Sequence, residues 1–181
     1  KPVQAGDLEN SDSLKVRDLI SNVKSTILPE VYRLNQPMSP HAAAALDRIT
    51  IDIDLIFNYY LDIKNKNPLV IEGAGGVMVP LNKNSLMIDL ISKLEIPVIL
   101  VSKNYLGSIN HTLLSFEALK ARNIPIQGIV FNGMANKESE EYILSYTGLK
   151  CLLRIPELSR LNSQIIKDFA DKFISEFRKD I

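Results

Sequence analysis

Cysteine, net charge and long apolar runs are scarce in this sequence, and each shortage excludes something. A single cysteine, Cys151, rules out an internal disulfide framework and a multi-cysteine zinc site. A reducing cytoplasm is the expected setting. The 21 Lys and Arg residues are offset by 21 Asp and Glu. No basic excess therefore steers the chain toward nucleic acid or an anionic membrane. The longest apolar stretches, such as Pro97-Val98-Ile99-Leu100-Val101, fall far short of the roughly 20 residues that span a bilayer. No repeat, low-complexity tract, Gly/Ser linker or signal peptide is visible. What remains is an ordinary globular balance, 46% hydrophobic and 23% charged over 181 residues, expected to form a single domain with its own core. The chain opens with Lys1-Pro2 and not Met, so it is expected to be truncated at the N-terminus.

Short apolar runs alternate with longer amphipathic stretches. Leu69-Val70-Ile71 reads as a strand, with residues 77–81 extending it past a glycine break. Residues 97–102, 126–131 and 152–155 read as three more strands. Their apolar positions are continuous and not alternating, as in parallel strands buried on both faces. Helices are expected at residues 14–23 after the Asn10-Ser11-Asp12-Ser13 cap, and at 41–47 after Ser39-Pro40. Others are expected at 52–60, 85–94, 108–121 and 137–146. Ile109, Leu113, Phe116 and Lys120 share one face of the 108–121 segment. A C-terminal helix stacks Ile165, Phe169, Phe173 and Phe177. This alternation predicts an α/β protein with a doubly wound, mostly parallel sheet and helices on both faces. In that architecture ligands gather at the carboxyl ends of the strands.

Each strand end carries a polar signal that has an ordinary structural explanation as well. Glu72-Gly73-Ala74-Gly75-Gly76 follows the first run. A carboxylate ending a buried strand is costly unless something such as Mg²⁺ takes it up. Glycines let backbone N–H groups approach a polyphosphate. A tight glycine turn beside a solvated glutamate explains the same string equally well. Gly107-Ser108-Ile109-Asn110-His111 opens a helix, where Ser108 is either a plain N-cap or part of an anion site. His111 is read as a polar packing residue. Asn132-Gly133 is a turn whose amide is also able to read a base. Cys151 is read as small and buried.

The order of these signals is more specific than any one of them. KPVQAG from Lys1, NSD ending at Asp12, SPH, EGAGG, LGSINH, a strand ending in Asn-Gly and then IPEL closely resemble the dethiobiotin synthetase family from residue 1 to about residue 158. The resemblance implies a P-loop NTPase-like fold lacking its first strand–loop–helix unit. It implies a ligase of biotin biosynthesis that joins 7,8-diaminopelargonate and CO₂ (or bicarbonate) at the expense of ATP, with Mg²⁺, as a homodimer. By motif, Lys1 matches the lysine that stabilises the carbamate and the transferred phosphoryl group. Asp12 and Glu72 match the Mg²⁺ ligands. Gly73, Ala74 and Gly75 match backbone contacts to nucleotide and substrate. Asn132 and Gly133 match the adenine site, and Pro156, Glu157 and Leu158 the turn closing over the base. Gly107, Ser108 and Asn110 match the helix start that receives the substrate carboxylate of the other subunit. Ala5 stands where the family usually has Ser or Thr.

None of the eight glycines belongs to a G-x-x-x-x-G-K-[ST] loop. In the family that loop precedes the KP motif, so the chain alone is expected to bind ATP poorly. Two other readings stay open at this level: an amide-forming synthetase akin to the cobyrinate amidases, and a non-catalytic nucleotide-binding module of the ParA kind.

Overall fold

A computed structural model gives the structure of residues 1–177, with side chains described through residue 175. The chain forms two compact units, Lys1–Glu95 and the part from Ile96 onward.

In the first unit, strand β1 (Val3–Ala5) pairs in parallel with β2 (Tyr32–Leu34), with Val3 opposite Tyr32 and Ala5 opposite Leu34. Parallel neighbours need a long crossover, and this one contains helix α1 (Asp12–Leu19). Ser11 caps α1 by accepting from the Leu14 N–H at 3.4 Å. The helix ends short of residue 23, because Asn22 Oδ1 accepts the N–H groups of Lys24 and Ser25, both at 2.9 Å, and folds the chain into a turn. Helix α2 (Pro40–Leu46) packs on β1 and β2 through the small buried residues Ala43 and Ala44. Helix α3 (Ile53–Ile63) starts at Asp52, which accepts from the Asp54 N–H at 2.8 Å. It packs on helix α4 (Met87–Leu94), which buries Met87, Ile88, Leu90 and Leu94. Val3, Leu34, Ile51, Leu81 and Ile88 are fully enclosed in this unit's core.

The strand expected at Leu69-Val70-Ile71 does not form. Those residues have no regular structure, and Val70 is 94% exposed. Apolar β-branched residues make a strand only where a partner supplies the hydrogen-bond ladder, and no strand pairs with this segment among the described residues. Residues 77–81 are likewise no extension; they hold a turn and one antiparallel bridge, Pro80 to Leu86.

The second unit contains a parallel sheet in the order β3 (Val98–Lys103), β4 (Ile126–Asn132) and β5 (Cys151–Ile155). Helix α5 (Ser108–Ala121) connects β3 to β4, and α6 (Lys137–Thr147) connects β4 to β5. Helix α7 (Ser163–Phe177) packs on β5 with Ile165, Phe169 and Phe173 half-buried along one side. Phe177, expected in that stack, has its side chain outside the described residues. Strand β4 is central, with Ile129 and Phe131 buried. A Cβ at Gly128 would lie 2.6 Å from Leu152 Cγ and 2.8 Å from the Lys150 carbonyl, so only glycine lets β5 approach this closely. Strand β3 departs from the both-faces expectation. Leu100 and Ser102 are buried while Ile99 and Val101 are exposed, the alternation of a strand with one covered face. On α5 the buried ridge is Ser108, Thr112, Phe116 and Leu119, not the line through Ile109, Leu113 and Lys120. A buried hydrogen bond of 2.7 Å between Ser102 and Thr112 fixes that rotation. No helix among the described residues is long and apolar enough to cross a membrane.

Candidate active site

In the first unit three residues far apart in sequence meet. Lys1 leads into β1, Asp12 opens α1, and Glu72 lies on the irregular segment after α3. The Lys1 ammonium forms a close ion pair with Asp12 Oδ2 and lies 3.3 Å from Glu72 Oε1. Its side chain is 12% exposed, whereas Asp12 and Glu72 are 39% and 59% exposed. Burial pushes the Lys1 amine down, but the hydrogen bond to Asp12 and the charges of Glu72 and Asp12 outweigh it and raise the pKa above the ordinary lysine value. Lys1 is therefore a held cation at neutral pH. Glu72 is solvated, which corrects the expectation of a dry carboxylate at the end of a buried strand.

Two buried residues that the sequence reading passed over support this cluster. Gln4 on β1 donates from Nε2 to the Gly6 carbonyl at 2.9 Å and presents Oε1 to the Asp12 N–H at 3.5 Å. Burial pushes the Glu30 carboxyl up. The Ser13 hydroxyl, Glu30's own backbone, the Ser11 hydroxyl and Arg33 together bring it below the ordinary value. Both residues brace the start of α1 where Asp12 sits. Ala5 is half-buried at the end of β1 and offers no side-chain hydrogen bond. Gly73, Ala74 and Gly75 follow Glu72 in a bend, with Ala74 buried.

Among the described residues no group of three or more His, Cys, Asp or Glu side chains is placed to hold a metal. The two carboxylates on one ammonium are the available donor set. Their hard, solvent-open oxygens are of the kind Mg²⁺ takes alongside water and phosphate oxygens, and in this structure the Lys1 ammonium is the cation between them.

In the second unit the strand ends are laced together. The Asn104 N–H donates to the Asn132 carbonyl at 2.9 Å, and the Gly133 N–H to the Ile155 carbonyl at 2.9 Å. The turn of Pro156, Glu157 and Leu158 follows directly. At the start of α5, Gly107 and not Ser108 is the N-cap. Ser108 is the first helical residue and is buried, with its N–H on the Tyr105 carbonyl at 3.0 Å. Gly107, Ser108 and Asn110 line an open surface depression of about 760 Å³, together with Tyr105, Asn136 and Tyr142. His111 meets the Tyr105 hydroxyl through Nδ1. Cys151 is half-buried at the start of β5. The sequence reading did not find Asn104, Glu140 or Arg154, which form a polar cluster around the buried Glu140 carboxylate beside these strand ends.

Parallel sheets flanked by helices, with acids and glycines beyond the strands, place the chain among P-loop NTPase-like α/β proteins, and residues 1–164 match the family model described as an AAA domain. Its relatives are more specific. It is 48% identical to the ATP-dependent dethiobiotin synthetase BioD of Cytophaga hutchinsonii, over 98% of this chain and 84% of that protein. With the protein of the same name from Christiangramia forsetii it shares 50%, over 96% of this chain and 81% of the relative. With that of Agrobacterium fabrum it shares 44%, over 96% and 80%. The chain belongs to the ATP-dependent dethiobiotin synthetase family.

Proposed function

We propose that the protein is a dethiobiotin synthetase of biotin biosynthesis, closing the ureido ring of dethiobiotin from 7,8-diaminopelargonate, CO₂ and ATP. The observation that carries this reading is identity of 42–50% over nearly the whole chain to relatives of that name. The site chemistry agrees with it. One amine of the substrate takes up CO₂ as a carbamate. A carbamate oxygen attacks the γ-phosphorus, ADP leaves, and a carbamic–phosphoric anhydride results. The second amine then attacks the carbonyl carbon, and inorganic phosphate carries off the oxygen that linked them.

The demand on the protein is to gather anions and hold them in line. Lys1 is the cation for the carbamate and the moving phosphoryl group, and its raised pKa keeps it charged. Asp12 and Glu72 would hold Mg²⁺. Bound Mg²⁺ supplies neutralisation of the phosphate charge. The backbone of Gly73, Ala74 and Gly75 is assigned to nucleotide and substrate. Asn132 and Gly133, with Pro156, Glu157 and Leu158, are assigned to the adenine base. Gly107, Ser108 and Asn110 are assigned to the substrate carboxylate of the other subunit in a homodimer. With Ala5 in the usual Ser or Thr slot, one side-chain contact to the substrate is absent. The test is turnover by the full-length protein. Diaminopelargonate should support ADP release, and a corrinoid carboxylate with glutamine or ammonia should not. The reverse preference would place the protein with the amide-forming synthetases.

A further inference from the structure

Glu140 is the most enclosed carboxylate among the described residues, 3% exposed in the first turn of α6. Burying a carboxylate is costly, and an apolar residue of similar size often stabilises a fold as well or better. The placement of its partners gives it a different use. Oε1 accepts from Asn104 Nδ2 at 2.7 Å and from the Asn136 N–H at 3.3 Å, while Oε2 accepts from Arg154 Nε at 2.6 Å. The three donors come from the segment after β3, from the cap of α6 and from β5.

Two of the three donors, Asn104 and Arg154, border the residues assigned to the base. Asn104 donates its backbone N–H to the Asn132 carbonyl, and its own backbone atoms lie 3.8 and 3.9 Å from where a Gly133 Cβ would be. Arg154 is followed by Ile155, whose carbonyl takes the Gly133 N–H, and then by Pro156. The Arg154 guanidinium also lies 5.8 Å over the ring of Phe131, next to Asn132. Glu140 further dictates which way the Asn104 amide points. With Nδ2 on the carboxylate, Oδ1 is left as a buried acceptor without a protein partner. A buried open acceptor needs a ligand or a water to satisfy it.

We propose that Glu140 is a positioning residue for nucleobase recognition: it clamps Asn104, Asn136 and Arg154 so that the ends of β3, β4 and β5 form a fixed base-binding edge. The inference rests on the assignment of Asn132, Gly133 and Pro156–Leu158 to the base. Charge and geometry are both required. Glutamine keeps the size, but its single carbonyl serves one side of the clamp and its amide turns donors toward the donors on the other.

The test uses the full-length protein and compares ATP with ITP, which has a carbonyl in place of the adenine amino group. In Glu140→Gln, KM for ATP should rise by roughly tenfold with kcat at saturation within about twofold, the pattern of lost ground-state binding. The kcat/KM preference for ATP over ITP should fall, and KM for diaminopelargonate should stay unchanged. Arg154→Gln removes one arm from a half-exposed position and should shift the same two quantities less far, which keeps the test available if Glu140→Gln does not fold. Asn132→Ala separates the two levels of the argument. If it raises KM for ATP while folded Glu140→Gln or Arg154→Gln keeps the wild-type KM and ATP/ITP ratio, the clamp is overturned and the base assignment stands. If Asn132→Ala itself leaves KM for ATP unchanged, the base assignment falls and the clamp proposal falls with it.

Discussion

Replacing Lys1 by Met separates chemistry from folding more cleanly than replacing it by Ala. The Lys1 side chain is 12% exposed, so most of its aliphatic stem is covered, and Met retains much of that packing while removing the charge. The ammonium has two carboxylate partners, Asp12 and Glu72, both well open to solvent. Its removal strands no buried charge, because water re-solvates both acids. Ion pairs with solvent-facing partners contribute about 0–1 kcal/mol, so the variant should lose no more than about 1 kcal/mol of stability. For a chain of this size that is a fall in Tm of about 2–4 °C. Loss of an oriented charge donor at a transferring phosphoryl group costs on the order of 10²-fold in kcat, near 2.7 kcal/mol. Activation free energy should therefore change at least about three times as much as folding free energy. Steady-state turnover of the full-length protein, run beside a urea titration, measures both. Wild-type turnover in the Met variant would refute the catalytic role. A stability loss above about 3 kcal/mol would show instead that Lys1 is chiefly structural.

Three further outcomes follow from the packing and the charges. Gly128→Ala should destabilise by about 1–3 kcal/mol in a denaturant titration, because its Cβ meets Leu152 Cγ at 2.6 Å and the Lys150 carbonyl at 2.8 Å. Ser11→Ala removes the cap of α1 and should cost about 1 kcal/mol by the same measurement. Burial pushes the Glu140 carboxyl up, but Arg154, Asn104 and the Asn136 N–H outweigh it and hold its pKa below the ordinary 4.5. A depressed carboxylate contributes stability that is present above 4.5 and lost as pH falls through the folded value. The stability gap between wild type and Glu140→Gln should therefore be constant near neutrality and close in acid.

The elements legible in the sequence were those with enough residues to show a pattern. The expected 108–121 helix matches α5 (Ser108–Ala121) in its bounds, and β3, β4 and β5 lie within one residue of the runs that announced them. Strands β1 and β2 have three residues each, too few for any period to appear. Leu69-Val70-Ile71 failed for the opposite reason. Its residues favour a strand, but pairing depends on a neighbour that a local pattern does not contain. The roles proposed for Lys1, Asp12 and Glu72 come from family resemblance and not from local chemistry, since a lone surface acid or lysine carries no signal; the structure adds that the three side chains meet. The Glu140 clamp was not legible. Its side-chain partners lie 36 residues before it and 14 after it, and only the parallel order of the strands brings them together.

The most direct test of the proposed reaction follows the carbon and the phosphate together. The full-length protein is incubated with labelled bicarbonate, 7,8-diaminopelargonate, Mg²⁺ and ATP, and dethiobiotin, ADP and inorganic phosphate are quantified. The account predicts labelled dethiobiotin formed in equal amounts with ADP and phosphate, and no ADP when the diamine is left out. ADP formed without labelled dethiobiotin, or no turnover with the diamine present, would contradict it.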